Sequence, residues 1–309
     1  MVGAAFYIFW TGIFVVSYTY LGYGIVIFIL SKIRGRPHTL PPSSRVQQAD
    51  PAPVVHELPV VTILIAAFNE ENFIEEKIKN TLALDYPADK LSILIVTDGS
   101  TDRTPEMVRQ CKAVQLFHQP ERKGKIHAVN RVMKFVKNPV VIFSDANTFL
   151  NREAIKNLVR HYQDEKVGGV AGEKRIFVKK EDNASASGEG LYWKYESFLK
   201  RRDAEVYSVV GAAGELFSVR TLLYEEPAEN MIIEDFYLSL RIAMKGYRFL
   251  YEPAAYAMEN AASSVAEEWK RKVRISAGGF QAITKLRPLL NPLKYGMLSF
   301  QYISHRVLR

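Results

Sequence analysis

The 309-residue chain contains a single cysteine, Cys111, so no intrachain disulfide framework is available; this usage fits a reducing compartment. Its six histidines include no pair at the local spacing of a zinc module. Neither GxxxxGK(S/T) nor GxGxxG occurs, so neither a P-loop kinase nor a Rossmann dehydrogenase is supported. Charge is missing in two places. No residue from Ala4 to Leu30 is charged, and none from Trp269 to Arg309 is acidic, although nine there are Lys or Arg. The rest of the chain then holds 32 basic against 33 acidic side chains, so the net charge of +8 belongs to the tail. That distribution argues against a nucleic-acid-binding body. It suits an anionic membrane face or a phosphorylated ligand.

The uncharged run from Ala4 to Leu30 is rich in Phe, Tyr, Ile and Val and exceeds the roughly 20 apolar residues that cross a bilayer as a helix. It has no basic region ahead of it and is too long for the core of a cleavable signal peptide. Lys32, Arg34 and Arg36 follow, which places that flank in the cytoplasm by the positive-inside rule. Residues 1–36 are therefore expected to be a single-pass membrane anchor with its basic flank, of bacterial inner-membrane type, and the catalytic part is expected to be cytoplasmic. Pro37–Pro59 carries six prolines and reads as a spacer. The sequon Asn183-Ala184-Ser185 is silent in that topology.

Beyond the spacer the pattern changes. Val60–Ala67, Leu91–Thr97, Ala113–Phe117 and Val140–Ser144 are short apolar runs, as expected of strands covered on both faces. Helical patterns alternate with them over Glu70–Leu84, Asp102–Cys111 and Lys125–Val136. This predicts an α/β domain with a mostly parallel sheet, whose ligands sit at the carboxyl ends of the strands. Polar clusters fall at those ends: Asn69-Glu70, Asp98-Gly99-Ser100 and Asp145-Ala146-Asn147. The second half is less regular, with helices expected over Ser185–Arg202, Glu234–Lys245 and Ser263–Leu286. Residues 287–309 mix apolar, aromatic and basic side chains. They read equally as an amphipathic helix lying on a bilayer or as a docked C-terminal helix.

Each candidate site residue has a plain structural alternative. Asp98 in TDGSTD and Asp145 in SDANT follow buried strands, where Asp commonly serves turns and helix caps. Lys125 in ERKGKIHAVN opens a helix, where it meets a phosphate or simply faces solvent. Glu234-Asp235 open another helix, a position that favours acidic residues in any case. Lys270, Arg271, Lys272 and Arg274 beside Trp269 read as phosphate-binding, membrane-binding or a solvated face. Two acidic strand ends in one sheet strengthen the ligand reading. Asp145 with Asn147 offers a carboxylate and an amide oxygen for Mg2+ or Mn2+, and a lone carboxylate such as Asp235 suits deprotonation of an acceptor hydroxyl.

The segments VTILIAAFNEE, LIVTDGSTDRT, RKGKIHAVN, FSDANT, GAAGELFSVR and IIEDFYLSLRIAMKGYR occur in that order. Together they resemble family 2 glycosyltransferases of the GT-A fold, from about Val60 to Gln281. The resemblance implies a GT-A nucleotide-diphospho-sugar transferase-like domain over 60–286. It implies nucleotide contacts at Ala67, Asn69 and Glu70, a uracil-reading role for Asp98 and a diphosphate lysine at Lys125. Asp145 and Asn147 fall on the Asp-x-Asp metal motif, and Asp145 also on the donor site. Gly211, Gly214 and Glu215 fall in an acceptor loop, and Asp235 on the catalytic base with Glu234 beside it. Arg271–Ile275 stands where processive members carry Gln-x-x-Arg-Trp; Arg271, Lys272 and Arg274 would then meet the diphosphate. Three departures are Ala66 for a usual proline, Asn147 for a second aspartate, and the missing Gln and Trp of that last motif. Membrane-bound members continue into further spanning helices beyond the point where this chain ends. The expected activity is an inverting, metal-dependent transfer from a UDP-sugar to a glycan or lipid-linked acceptor, with no nucleic-acid partner. The competing readings are a nucleotidyltransferase, which would need a glycine- and basic-rich loop where this chain has FNEENF, and an inactive membrane scaffold.

Overall fold

A computed structural model of the protein describes residues 2–35, 57–177, 184–260 and 265–309. Most of the expected spacer over 37–59, together with Arg36 and Asn183 of the sequon, lies outside them.

Val2–Ser17 (α1), a π-helical turn over Tyr18–Gly22 and Tyr23–Arg34 (α2) form one unbroken helix. Over Gly3–Arg34, 32 residues, it is long and apolar enough to cross a membrane. Its two halves differ. Phe6, Phe9, Trp10 and Phe14 are exposed, whereas Tyr23 and Ile27 are fully buried against Leu199 of a later helix.

Eight strands make one sheet: Val61–Ala67 (β1), Leu91–Asp98 (β2), Gln115–Gln119 (β3), Val140–Asp145 (β4), Phe149–Leu150 (β5), Val167–Phe177 (β6), Leu216–Arg220 (β7) and Arg248–Asn260 (β8), in the order β3-β2-β1-β4-β7-β6-β8-β5. The pairs within β3-β2-β1-β4 are parallel, as expected. β7 then enters antiparallel between β4 and β6, while β6 and β8 pair parallel. Sequence reading left β6 to β8 as an irregular region. β6 opens on Val-Gly-Gly-Val and β8 is interrupted by Pro253, both of which mask the strand pattern.

The continuous apolar runs are explained by the two-residue period of a strand. Ile63 and Ile65 face one core with Ile74, Ile95, Ile142 and Leu158. Leu64 faces the opposite core with Val96, Val132, Phe143 and Phe217. Helices Ile74–Leu82 (α3), Thr104–Arg109 (α4), Lys125–Met133 (α5) and Ala154–Val159 (α6) cover the first half of the sheet. α3, α4 and α5 are each shorter than their sequence patterns suggested, and α6 was not among the expected helices. Ala184–Val206 (α7), Glu234–Met244 (α8), Val265–Lys285 (α9) and Pro292–Tyr302 (α10) serve the second half. α10 and the turn after it pack on the body: Leu298, Tyr302 and Leu286 share a core with Phe236 and Leu240 of α8. Tyr18 meets Ser304 at 2.9 Å, joining the N-terminal helix to the same corner.

Candidate active site

The carboxyl ends of β1, β2 and β4 lie side by side because these strands are adjacent and in parallel register. The loops after β1 and β2 are sewn together. The Asn69 side chain accepts from Thr101 N at 2.9 Å, the Glu70 amide donates to Thr104 Oγ1 at 2.9 Å, and the Glu71 amide donates to Asp102 at 3.0 Å. Asn69 takes a left-handed backbone, φ 54°, a region Asn tolerates better than most residues. Ala67 is buried at the end of β1. Asn69 therefore shapes this loop pair, and the half-buried Glu70 follows it in the same loop. Burial, then Asp145 and then Asp102, raise the Glu70 carboxyl to about 7.

Asp98 is buried. One of its oxygens, Oδ2, accepts from the Lys123 and Gly124 amides at 2.8 and 2.6 Å. The other, Oδ1, is buried with no hydrogen-bond partner among the described residues. A buried carboxylate oxygen in that state is costly unless a donor arrives, so the arrangement suits an N–H group from a ligand. Arg122 stacks on Phe68 at 3.6 Å beside it, a contact not foreseen from sequence. Gly99 is needed there: a Cβ would stand 2.4 Å from Arg122, and its φ is +68°.

Lys125 begins α5, and its ammonium lies 2.9 Å from both Asp145 Oδ1 and Glu234 Oε1. Desolvation acts to lower the Lys125 pKa, but Asp145 and then Glu234 more than offset it and hold the group well above its usual value. The cleft around it has walls from Leu64, Phe143, Phe217 and Tyr224, with Gly214 at the rim. Gly214 leaves space: a Cβ there would stand 3.6 Å from Asp235 Oδ2 and 3.8 Å from Lys125 Nζ. Gly211 has φ +93° and abuts Phe236, so a side chain there would collide with α8. Asn147 is half-buried in the turn after Asp145. Among the described residues no group of three or more His, Cys, Asp or Glu gathers to hold a metal.

Asp235 is raised to about 7, first by burial and then by adjacent Glu234; Lys125 opposes this and Glu215 adds to it. Glu215 is itself paired with Lys174 of β6 at 2.5 Å, and Lys174 also pairs with Glu259 of β8. Lys174 and Gln281 were not foreseen from sequence. Gln281 on α9 accepts from the Ile232 amide at 3.0 Å and donates to the Asn230 carbonyl at 2.8 Å, which fixes the approach to Glu234-Asp235. A Cβ on Gly278 would press on Ile232 and Ile233 at 3.0 Å, so glycine allows this close passage.

The basic residues of α9 are not brought to the cleft. Arg271 pairs with Glu268 at 2.7 Å and Glu259 at 3.7 Å, and Lys272 with Glu268 at 3.6 Å. Arg274 is exposed, and none of the three lines the cavity.

The chain matches the family model for glycosyl transferase family 2 over residues 62–223. It is 30% identical over 254 residues to the poly-beta-1,6-N-acetyl-D-glucosamine synthase of Staphylococcus aureus (strain MSSA476), over 78% of this chain and 59% of that protein. The Staphylococcus epidermidis synthase of the same name is 27% identical over 253 residues, 77% of this chain and 58% of that one. The chain thus spans about three-fifths of the length of these curated relatives. Among solved structures, a mannosyltransferase from Pyrobaculum calidifontis in complex with GDP-Man and Mn2+ superposes with a TM-score of 0.74 at 23% identity, over 96% of this chain and 81% of that one. S. aureus TarS superposes at 0.55 and 15% identity, over 79% of this chain and 42% of that one. The chain belongs to glycosyl transferase family 2, and its fold is GT-A, as the sequence motifs led one to expect.

Proposed function

We propose that the protein is an inverting glycosyltransferase that moves a sugar from a UDP-sugar to a glycan or lipid-linked acceptor at the cytoplasmic face of a membrane. The observation that carries this reading is the meeting of Asp98, Lys125, Asp145 and Asp235 at the ends of adjacent strands and two helix N-termini, with Asp98 Oδ1 buried and without a hydrogen-bond partner among the described residues. Asp98 would accept from the base, and Lys125 would meet the diphosphate. Asp145 and Asn147 offer oxygen donors, which fit Mg2+ or Mn2+ held jointly with diphosphate oxygens. Such an ion would neutralise the departing diphosphate. Asp235, as carboxylate, takes the proton of the acceptor hydroxyl. The freed oxygen bonds to the anomeric carbon from the face opposite the diphosphate, and the bond from that carbon to the diphosphate oxygen breaks. Relatives named as poly-beta-1,6-N-acetyl-D-glucosamine synthases support a glycan product, and solved relatives holding Mn2+ support the ion. The N-terminal helix supports a single-pass anchor for residues 60–286, with 287–309 docked beside it.

Calorimetric titration with UDP- and GDP-sugars, with and without Mn2+, tests the donor reading. Metal-dependent binding of the UDP-sugar that is lost in Asp145→Ala supports it. Equal or tighter binding of GDP-sugars reassigns the base specificity. Binding of neither sinks the donor site.

A further inference from the structure

Lys77 of α3 is completely shielded from solvent. Buried Lys174, by contrast, keeps Glu215 and Glu259 close. Lys77 makes no such ion pair among the described residues. Its Nζ donates instead to Ser144 Oγ and to the Thr148 carbonyl, both at 2.7 Å. A lysine amine placed with no ion pair among the described residues is an expensive way to fill a core position, and a methionine would fill the same space. The reason must lie in what those two oxygens do.

Ser144 and Thr148 bracket Asp145, Ala146 and Asn147. Thr148 Oγ1 closes the turn by donating to the Asp145 carbonyl at 3.0 Å, and Ser144 Oγ reaches the Glu215 carbonyl at 3.3 Å. One turn further along α3, Asn80 clasps both backbone groups of Leu150 at 2.8 and 2.9 Å. α3 thus grips the chain before, within and after the turn that presents Asp145 and Asn147, and through Ser144 the grip extends to the loop holding Gly214 and Glu215.

We propose that Lys77 is a positioning residue for the metal–diphosphate site: its buried amino group fixes the Ser144–Thr148 turn in the geometry that offers Asp145 and Asn147 to an ion shared with the donor diphosphate. The inference rests on the donor-site reading above. It gives that reading a support absent from the motif itself, because the second carboxylate of the usual Asp-x-Asp pair is an amide here and the turn's geometry must contribute more.

The test is calorimetric titration of the full chain with UDP and Mn2+, together with the electron paramagnetic resonance spectrum of bound Mn2+. The proteins compared are wild type, Lys77→Met, Lys77→Gln, Ser144→Ala, the Lys77→Met/Ser144→Ala double variant and Asp145→Ala. Lys77→Met is expected to bind Mn2+ with UDP at least tenfold more weakly and to alter the Mn2+ spectrum. Lys77→Gln, which keeps two N–H donors, is expected to recover part of the loss. The double variant is expected to lose less than the product of the two single losses, because both changes break the Lys77–Ser144 contact. If Lys77→Met does not fold, Lys77→Gln and Ser144→Ala are read by the same criterion, each expected to weaken binding severalfold. Folded Lys77 and Ser144 variants with affinity and spectrum as in wild type, beside an Asp145→Ala that no longer binds, overturn the inference alone. A wild-type protein that binds no UDP with Mn2+ overturns the donor reading and the inference with it.

Discussion

The two halves of the sheet are held together by different forces. From β1 to β4 the interior is almost wholly apolar. Ile63, Ile65, Ile95 and Ile142 are fully buried, and the buried charges there are Lys77 and Asp98. From β6 onward the interior is threaded with ions. Glu196 of α7 takes Arg306, Arg309 at 2.9 Å and His305 at 3.5 Å, and Asp203 takes His305 at 2.6 Å and the hydroxyl of Tyr23. Lys174, Glu215 and Glu259 extend this pattern toward Asp235. The first half is thus built mainly from neighbours in sequence and forms the proposed nucleotide floor. The second half joins segments about a hundred residues apart, brings the proposed base to that floor, and fastens α2 to the body. Buried ion pairs add little net stability over apolar packing, but they specify which segments meet.

The sharpest way to separate the halves is Asp235→Asn. Turnover is expected to fall about 10²–10⁴-fold, while UDP binding by calorimetry stays within a few-fold of wild type. An unchanged turnover would remove Asp235 from the chemistry. Glu196→Ala probes the ionic half alone. It strands Arg306, Arg309 and His305 and is expected to cost about 3–5 kcal/mol in urea unfolding. A cost near zero would mean that the network is dispensable and the comparison overstated.

Asp98→Ala probes the apolar half at its one buried carboxylate. Loss of charged hydrogen bonds of about 1.5–3 kcal/mol should weaken UDP binding by roughly ten- to a hundredfold, measured by thermal shift or calorimetry. The pH response joins the halves. Asp235 and Glu70, both raised to about 7, hold their protons below that pH and ionise above it. The base is active when ionised, so kcat/KM should climb with pH through about 7, roughly tenfold per unit on the acid side. The linked stability has the opposite sign. Because these folded pKa values lie above the unfolded ones, the contribution is present at low pH and lost as pH rises through about 7. A pH-rate profile flat from 5.5 to 8 would contradict the assignment. The smallest effect is expected from Gln281→Ala, about 1 kcal/mol of stability, with kcat lowered more than UDP affinity because the loop it ties leads to Asp235 rather than to the nucleotide.

What was legible beforehand follows the same division. β1, β2 and β4 were readable because a strand covered on both faces needs apolar side chains at every position, and their polar ends were readable because the run stops abruptly. β6 and β8 were hidden by Gly168-Gly169 and Pro253. The basic run of α9 allowed phosphate-binding, membrane-binding and solvated readings alike, and in the fold Arg271 and Lys272 are engaged by Glu268 on the preceding turn. A signal for Lys77 was present and easy to pass over. It occupies the buried i, i+3, i+4, i+7 face of α3 with Ile74, Ile78 and Thr81, in a stretch whose other charges suggest a solvated surface.

By itself the sequence determined the alternation of buried strands and helices, the acidic and amide residues at the strand ends, the apolar N-terminal helix and membership of the family. These are local facts, set by side-chain periodicity and by motifs short enough to read in one stretch. Only the tertiary structure decided that Lys125 bridges Asp145 and Glu234, that Lys77 stands beneath the Asp145 turn, that Gln281 steadies the approach to Asp235, and that the half-turns of α2 from Tyr23 to Ile27 dock on α7. Each of these joins groups far apart in the chain. Their pairing depends on which charges are buried together once the sheet has formed, and that information is not carried by any single segment.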